Sequence, residues 1–173
     1  MTHDLVVGPW GARFAGRRFP CSTGRGGVGV KRGEGDRVTP VGRHRIEAVL
    51  WRPDHGRAPR LGGGLAASAI GPRDGWSDDP ADPAYNGRVR RPWPFRHEAL
   101  RRRDRLYDIV AVLDFNRHPA VPGKGSAIFL HLWRGPRRPT AGCIAFRRRD
   151  LEWILARWNP RRRVVVTGWA RGA

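Results

Sequence analysis

The stretch FLHLWRGPRRPTAGCIAF, residues 129–146, joins an apolar run that ends near His131 to a turn that carries Cys143, twelve positions later. The run SAIFLHLW, residues 126–133, is typical of a buried strand, and Gly and Pro punctuate the segment that follows it. A histidine at a strand end and a cysteine on a turn are suited to meet in one site. Because an imidazole can accept a proton from a thiol, the stretch predicts a nucleophilic cysteine with His131 as its base. A buried structural cysteine and a hydrogen-bonded core histidine are the alternatives.

The segments on either side of this stretch are mostly typical of short strands bounded by Gly and Pro. One helix is predicted from Asp150, because the next apolar residues follow at helical spacing until an Asn-Pro pair ends the pattern. The chain is therefore expected to be mainly β, antiparallel in its first third, with one short α-helix. The predicted strands are DLVV (4–7), RRFPCS (17–22), RHRIEAVLW (43–51), LYDIVAVLDF (106–115), SAIFLHLW (126–133) and RRVVVTGW (162–169).

The middle of the chain, about residues 52–105, is rich in Pro, Gly, Asp and Arg and shows little periodicity. A loop of this length is uncommon unless it is functional, so we expect it to act as a flap or to cover one sheet face. Its aromatic and acidic part, about residues 71–95, is expected to cover the cleft that holds Cys143 and His131. No repeat or linker divides the chain, and we interpret residues 1–173 as a single domain with this loop insertion.

The charge balance is strongly basic, with 34 Lys and Arg against 15 Asp and Glu and a formal net charge of +19. Only Lys31 and Lys124 are lysines, and the arginines occur in short groups along the whole chain. Such a surface favours anionic partners. The arginines follow no nucleic-acid-binding motif, so the pattern favours a solvated basic surface over specific nucleic-acid binding.

Cysteine usage and apolar run lengths exclude further classes of protein. Cys21 and Cys143 are the only cysteines, and the absence of CxxC and HExxH spacings argues against a metal centre; no cofactor is expected. A buried structural role is expected for Cys21, rather than a disulfide with Cys143. The N-terminal apolar run is too short for a signal peptide, and no segment approaches the length of a membrane span.

Two segments resemble the L,D-transpeptidase (YkuD-like) catalytic domain family. GDRVTPVGRHRI, residues 35–46, is similar to its TPxGxF/YxI segment, and residues 131–146 are similar to its active-site stretch, in which a histidine precedes [S/T]HGC. The chain differs in a shorter loop between histidine and cysteine, in Ala141 where the family has histidine, and in Ala145 and Phe146 in place of Arg and Asn. The short form resembles a branch proposed to link L-alanine to meso-diaminopimelate, the 1,3 type, instead of the usual 3,3 type.

The resemblance implies a β-sandwich with a short helix after the cysteine, and acyl transfer between peptidoglycan stem peptides through a thioester. It also implies a location in the periplasm or cell envelope, although no export signal is visible. Two alternatives stay open. Water could replace the amine, as in an L,D-carboxypeptidase or an amidase, or the chain could be a non-catalytic basic module that binds anionic polymer.

The reaction predicts roles for residues of the turn and the strand end. Cys143 is expected to be a thiolate beside the imidazolium of His131, with His118 as the reserve base. The N–H groups of Gly142 and Cys143 could face the oxyanion of a tetrahedral intermediate. Thr140 occupies the Ser/Thr position of the family motif and is expected to brace the loop beside the substrate.

Acidic and polar side chains of the long loop are the predicted acceptor-binding groups. Carboxylates there could hold the ammonium group of an acceptor side chain in place, although Asp-Asp-Pro is also ordinary turn chemistry. The candidates are Asp78, Asp79, Tyr85 and Asn86.

Overall fold

The computed structural model describes residues 3–168, which form many short strands and one α-helix. This confirms the prediction of a mainly β fold with a short helix. The helix, α1, spans Arg148–Ala156, and a 3-10 helix spans Pro53–His55. The strands are β1 (Leu5–Gly8), β2 (Gly11–Phe14), β3 (Arg17–Phe19), β4 (Cys21–Ser22), β5 (Val28–Gly29), β6 (Thr39–Pro40), β7 (Gly42–His44), β8 (Ile46–Trp51), β9 (Ala67–Ala69), β10 (Asp74–Ser77), β11 (Arg88–Arg90), β12 (His97–Ala99), β13 (Ile109–Leu113), β14 (Phe129–Leu132), β15 (Ile144–Phe146) and β16 (Val164–Val166).

Two large sheets form the sandwich. A five-stranded sheet has the order β3-β2-β1-β16-β7, and a six-stranded sheet has the order β4-β15-β14-β13-β8-β9. Most neighbours in these two sheets are antiparallel, but three pairs are parallel: β1 with β16, β14 with β15, and β8 with β9. The last described strand therefore lies beside the first.

The main core lies between these sheets and α1, because alternate residues of each strand face inwards. On β14, Leu130 and Leu132 belong to this core, whereas Phe129 belongs to a second cluster on the opposite face of the sheet. The apolar side of α1, with Leu151 and Ile154, completes the main core. The helix begins two residues before the predicted start at Asp150, which lies in its first turn.

The second cluster fills the other face of the six-stranded sheet. It contains Trp76 from β10 and Leu100, which follows β12, packed against Val110 of β13 and Phe129 of β14. The Trp76 ring meets the Phe129 ring edge-on, with the ring centroids 5.0 Å apart. Part of the segment at 52–105 thus covers a sheet face, which is one of the two roles expected for it.

The same segment differs from the prediction of a loop with little regular structure. It contains four short strands, and β10 lies between β11 and β12 in a three-stranded antiparallel sheet. These strands have three or four residues each, too few to produce a visible alternation in the sequence.

Two predicted strands are interrupted in the structure. The segment at 17–22 divides at Pro20 into β3 and β4, which lie in different sheets, because proline cannot donate a ladder hydrogen bond. The segment at 43–51 divides at Arg45 between β7 and β8, again in different sheets. The last predicted strand is confirmed as β16, although its final residue, Trp169, lies outside the described residues.

Candidate active site

A cavity of about 330 Å³ is lined by both members of the predicted pair, Cys143 and His131. His131 lies on β14 between two residues that enter the main core, so the alternation of the strand turns its side chain to the opposite face. Cys143 directly precedes β15, the parallel neighbour of β14, and belongs to the second cluster. The pairing of these two strands therefore brings both side chains to one cavity.

The Cys143 thiol is buried and held by backbone groups. Its Sγ lies 3.1 Å from the carbonyl oxygen of Ala127, to which the thiol donates, and 3.4 Å from the backbone nitrogen of Phe129, which donates to it. Within residues 3–168, these are its only hydrogen-bond partners. The thiol proton is therefore directed at a carbonyl and not at an imidazole.

The imidazole of His131 has a fixed tautomer. Its Nδ1 lies 2.7 Å from the carbonyl oxygen of Leu132, which can only accept a hydrogen bond, so Nδ1 carries the proton. The other ring nitrogen, Nε2, then keeps its lone pair when the ring is neutral. The Tyr107 ring packs edge-on against the imidazole, with centroids 5.3 Å apart, and restricts its orientation.

Burial keeps both members of the pair uncharged. Loss of solvent raises the pKa of the Cys143 thiol to about 12, against the opposing hydrogen bond from the Phe129 N–H. Burial likewise lowers the pKa of His131 to about 4. Both shifts disfavour the expected thiolate and imidazolium in this state of the site and favour a neutral thiol beside a neutral imidazole.

The turn before Cys143 is braced by two threonines. The Thr140 hydroxyl donates to the carbonyl of Cys143 at 2.6 Å and accepts from the Gly142 N–H at 3.1 Å. Thr39 donates to the Gly142 carbonyl at 2.8 Å and accepts from the Gly24 N–H at 2.7 Å. The Gly142 N–H, expected to face an oxyanion, is thus already bonded within the turn.

Glycine is required at position 142 by conformation and by space. Its φ is +137°, in the region that side chains strongly disfavour, and a Cβ there would lie 3.0 Å from the carbonyl oxygen of Val38. Thr39 and Gly142 belong to the two separate segments that carry the family resemblance. Thr39 belongs to a motif of the family resemblance, but no sequence signal indicates its contact with this turn.

The structure separates the predicted loop residues into two groups. Only Asp78 lines the cavity, where its carboxylate pairs with Arg96. Asp79 instead accepts hydrogen bonds from the backbone N–H groups of Ala81 and Arg96, which is ordinary turn chemistry. The region expected to cover the cleft therefore contributes one lining residue to it.

Tyr85 and Asn86 are buried and bonded to the protein itself. The Tyr85 hydroxyl donates to Glu34 and accepts from the Gly125 N–H. The Asn86 side-chain oxygen accepts from Trp76 and from the Ala127 N–H, both at 3.1 Å. Because Ala127 accepts the hydrogen bond of the Cys143 thiol, Asn86 supports the wall of the site and does not line the cavity.

Three cavity-wall residues that the sequence analysis missed form a connected cluster. The Tyr107 hydroxyl donates to Glu98 Oε1 at 2.8 Å, and Arg102 donates to the same oxygen at 3.0 Å. Arg102 also lies over the Tyr107 ring, 5.0 Å from its centroid. No sequence motif marks Glu98 or Arg102, which lie in the segment interpreted as a loop.

Lys31 is a further lining residue that was not predicted. Its side chain is only 3% exposed, and its ammonium group pairs with Asp36 at 2.5 Å. Burial alone would raise the pKa of Asp36, but Lys31 and the surrounding backbone N–H groups lower it to about 2. The Lys31 ammonium group therefore lies in the cavity wall with its charge balanced by Asp36.

The remaining candidates lie outside this cavity. His118, the reserve base, is exposed and pairs with Glu47 at 2.8 Å. Cys21 and Cys143 are both free thiols, and Cys21 packs against the main core on β4. Within residues 3–168, no three His, Cys, Asp or Glu side chains cluster so that they could hold a metal ion. No helix of the described chain is long and apolar enough to cross a bilayer.

Comparison with models of known protein families shows to which family the chain belongs. The model of the YkuD family, described as the L,D-transpeptidase catalytic domain, matches residues 14–166. The chain belongs to the L,D-transpeptidase family. This match confirms the resemblance carried by the two motifs, and the β-rich architecture agrees with it. No curated protein and no solved structure gave a significant match to the chain.

Proposed function

We propose that this L,D-transpeptidase domain forms peptidoglycan cross-links by acyl transfer through a thioester on Cys143. One observation carries the proposal: Cys143 and His131 line one cavity in a domain of this family. The free lone pair on His131 Nε2 gives the site a base that needs no prior deprotonation. Peptidoglycan stem peptides are the proposed substrates, so we place the enzyme in the periplasm or cell envelope.

In the first half-reaction, Cys143 Sγ attacks the carbonyl of an L-residue joined to a D-residue. His131 accepts the thiol proton as the bond forms, because the raised pKa of Cys143 leaves almost no thiolate in advance. The C–N bond then breaks, the D-residue leaves with that proton on its amine, and the acyl group remains on sulfur.

In the second half-reaction, the amine of a diaminopimelate side chain attacks the thioester. The nitrogen loses a proton through His131, and Cys143 leaves as a thiol. Two bonds in a stem peptide join an L-residue to a D-residue: diaminopimelate to D-Ala gives the 3,3 cross-link, and L-Ala to D-Glu gives the 1,3 cross-link. Both donors are compatible with the proposal.

The decisive experiment is incubation of the enzyme with purified muropeptides, followed by mass spectrometry of the products and of the intact protein. Cross-linked dimers and an acyl adduct on Cys143 are expected. Monomers shortened by one residue, without dimers, would indicate a carboxypeptidase. Salt-sensitive binding to anionic polymer that is unchanged in Cys143→Ala, with no product at all, would indicate the binding module.

A further inference from the structure

The cavity wall is less basic than the chain as a whole. The chain has 34 basic residues against 15 acidic ones, yet carboxylates line the cavity almost as often as basic groups. The lining carboxylates are Glu34, Asp78 and Glu98, and the lining basic residues are Lys31, Arg37, Arg102 and Arg134. An anionic substrate alone does not account for a wall of mixed charge.

Two of these positive charges are balanced by carboxylates that do not themselves line the cavity. Lys31 pairs with Asp36, and Arg102 pairs with Asp104 through two hydrogen bonds of 2.9 and 2.8 Å. The carboxylates Asp36 and Asp104 do not line the cavity. Since Asp104 occupies two Arg102 donors, the trio of Arg102, Asp104 and Glu98 carries a net negative charge.

Glu98 has one oxygen available to a ligand. Its Oε1 accepts both hydrogen bonds, from Tyr107 and Arg102, while Oε2 has no hydrogen-bond partner within residues 3–168. Asp78 is already paired with Arg96. Of the three lining carboxylates, only Glu98 is bonded in the described chain to the residue that packs on His131, namely Tyr107.

A second observation points to a polar ligand in the same cavity. Ser126 lines it and is only 7% exposed, and its hydroxyl oxygen has no partner with full hydrogen-bond geometry in the described part of the chain, although it interacts with the neighbouring Tyr85 hydroxyl. Buried hydroxyl groups are nearly always hydrogen-bonded, because an unpaired one forfeits its interaction with water. A bound group with polar hydrogens would satisfy it.

We propose that Glu98 and Ser126 form the subsite for the ammonium group of the acyl acceptor, a primary amine. This proposal rests on the proposed function and names the residues that favour amine over water. An amine arrives as an ammonium ion and must lose a proton before it can attack. Glu98 Oε2 binds the ammonium group and takes that proton.

The resulting transfer balances in protons. The neutral amine attacks the thioester carbonyl, the C–N bond forms, and the C–S bond breaks. The second proton leaves the nitrogen through His131 and returns to Cys143 sulfur, while the first passes from Glu98 to solvent. Water needs no ammonium site, so loss of the subsite should slow transfer without slowing hydrolysis, and more of the thioester should then be hydrolysed.

The test is Glu98→Gln, which keeps the oxygen that accepts from Tyr107 and Arg102 but removes the charge. The reaction with purified muropeptides is followed by intact-protein mass for the Cys143 adduct and by chromatography for dimers and hydrolysed monomers. Acylation should stay within about twofold, whereas dimer formation should fall about tenfold to a hundredfold and hydrolysed product should rise. Glu152→Gln on α1, a half-exposed carboxylate paired with Arg148, is the matched control.

Each other outcome has a defined meaning. An unchanged ratio of dimer to hydrolysed product in Glu98→Gln would overturn the subsite, as would an equal loss of acylation and transfer in a folded variant. If Glu98→Gln does not fold, the ratio of dimer to hydrolysed product is measured in Ser126→Ala instead. A smaller loss of transfer is expected there. Absence of a Cys143 adduct on the wild-type protein would instead overturn the proposed function. The intact-protein mass spectrum therefore distinguishes failure of the function from failure of the subsite.

Discussion

The Cys143 thiol donates its hydrogen bond to the carbonyl oxygen of Ala127, 3.1 Å from Sγ. Ala127 has a φ of +53°, a backbone conformation that is uncommon for a residue with a side chain. Asn86 accepts a hydrogen bond from the N–H of the same residue and thereby helps to hold this conformation. The Cys143 thiol is thus bonded to the backbone at rest, and under the proposed mechanism it would turn from Ala127 towards His131 before it reacts.

Replacement of the thiol tests the role of Cys143 most directly. Cys143→Ser should keep the fold, because a hydroxyl can also donate to Ala127, but turnover should fall by at least about a thousandfold. The hydroxyl is a far weaker nucleophile with the same base. Intact-protein mass after incubation with a carbapenem should show an adduct on the wild type and none on Cys143→Ala. An adduct that maps to Cys21 would contradict the assignment.

The shifted pKa of His131 predicts the acid limb of the pH profile. Because burial holds this pKa at about 4, the imidazole stays neutral well below its usual pKa of 6.5. The acid limb of kcat/KM should therefore lie nearer pH 4 than pH 6.5. A limb at 6.5, measured with a small amine acceptor and a substrate that does not titrate there, would show that the imidazole is solvated in the working enzyme.

The same shift predicts how stability depends on pH. The folded pKa of His131 lies below the unfolded value, so below pH 6.5 the unfolded chain binds a proton that the folded chain does not. The stabilisation present above pH 6.5 is lost as the pH falls towards 4, by up to about 1.4 kcal/mol per pH unit. Denaturant unfolding of the wild type and His131→Gln should reveal it, because the variant lacks this slope. Parallel curves for the two proteins would refute the shift.

Thr140 should act through the turn that carries Cys143. Thr140→Val keeps the shape but removes the hydrogen bonds to the Cys143 carbonyl and the Gly142 N–H, so stability should fall by about 1–3 kcal/mol and Cys143 acylation should slow. Thr140→Ser retains the hydroxyl and should restore most of both. The acylation rates are measured by intact-protein mass spectrometry of samples quenched at set times after addition of a carbapenem. Full activity in the valine variant would make the brace dispensable.

Replacement of Asn86 distinguishes a structural role of this residue from a role in substrate binding. The side-chain amide also donates to the carbonyl oxygens of Phe115 and Asn116, at 3.0 and 2.8 Å. Asn86→Ala should therefore lower the free energy of unfolding by about 2–4 kcal/mol, since it leaves several buried groups without partners. Thermal unfolding measures this, and Asp79→Asn provides a comparison outside the cavity. A variant with normal stability and a raised KM would return Asn86 to the substrate site.

Long periodic segments explain what the sequence could predict. The apolar run that includes β14 and the helical spacing of Leu151 and Ile154 each extend over a buried element, so both gave the correct element type. The proximity of His131 and Cys143 could be predicted for a related reason. His131 lies on a strand, and Cys143 directly precedes one, whose burial is evident from the apolar residues.

The features of the site that the sequence did not predict depend on contacts between segments distant in the chain. Glu98 and Arg102 enter the cavity wall only because the short strands after β9 fold over the sheet, and three-residue strands leave no periodic signal. The charge state of the pair was also inaccessible, since it depends on how completely the fold removes water from Cys143 and His131. Motif chemistry alone favoured an ion pair there.

Under the proposed acyl transfer to amines, the burial of Lys31 has a further consequence. Lys124 is exposed and is the one other lysine of the chain, while the remaining basic side chains are arginines. A guanidinium stays protonated at all ordinary pH values and is a poor nucleophile, and the Lys31 ammonium is held by Asp36. The proposed thioester on Cys143 would therefore meet few nucleophilic amines on other copies of the chain, and the scarcity of lysine would protect the acyl group from transfer to the enzyme itself.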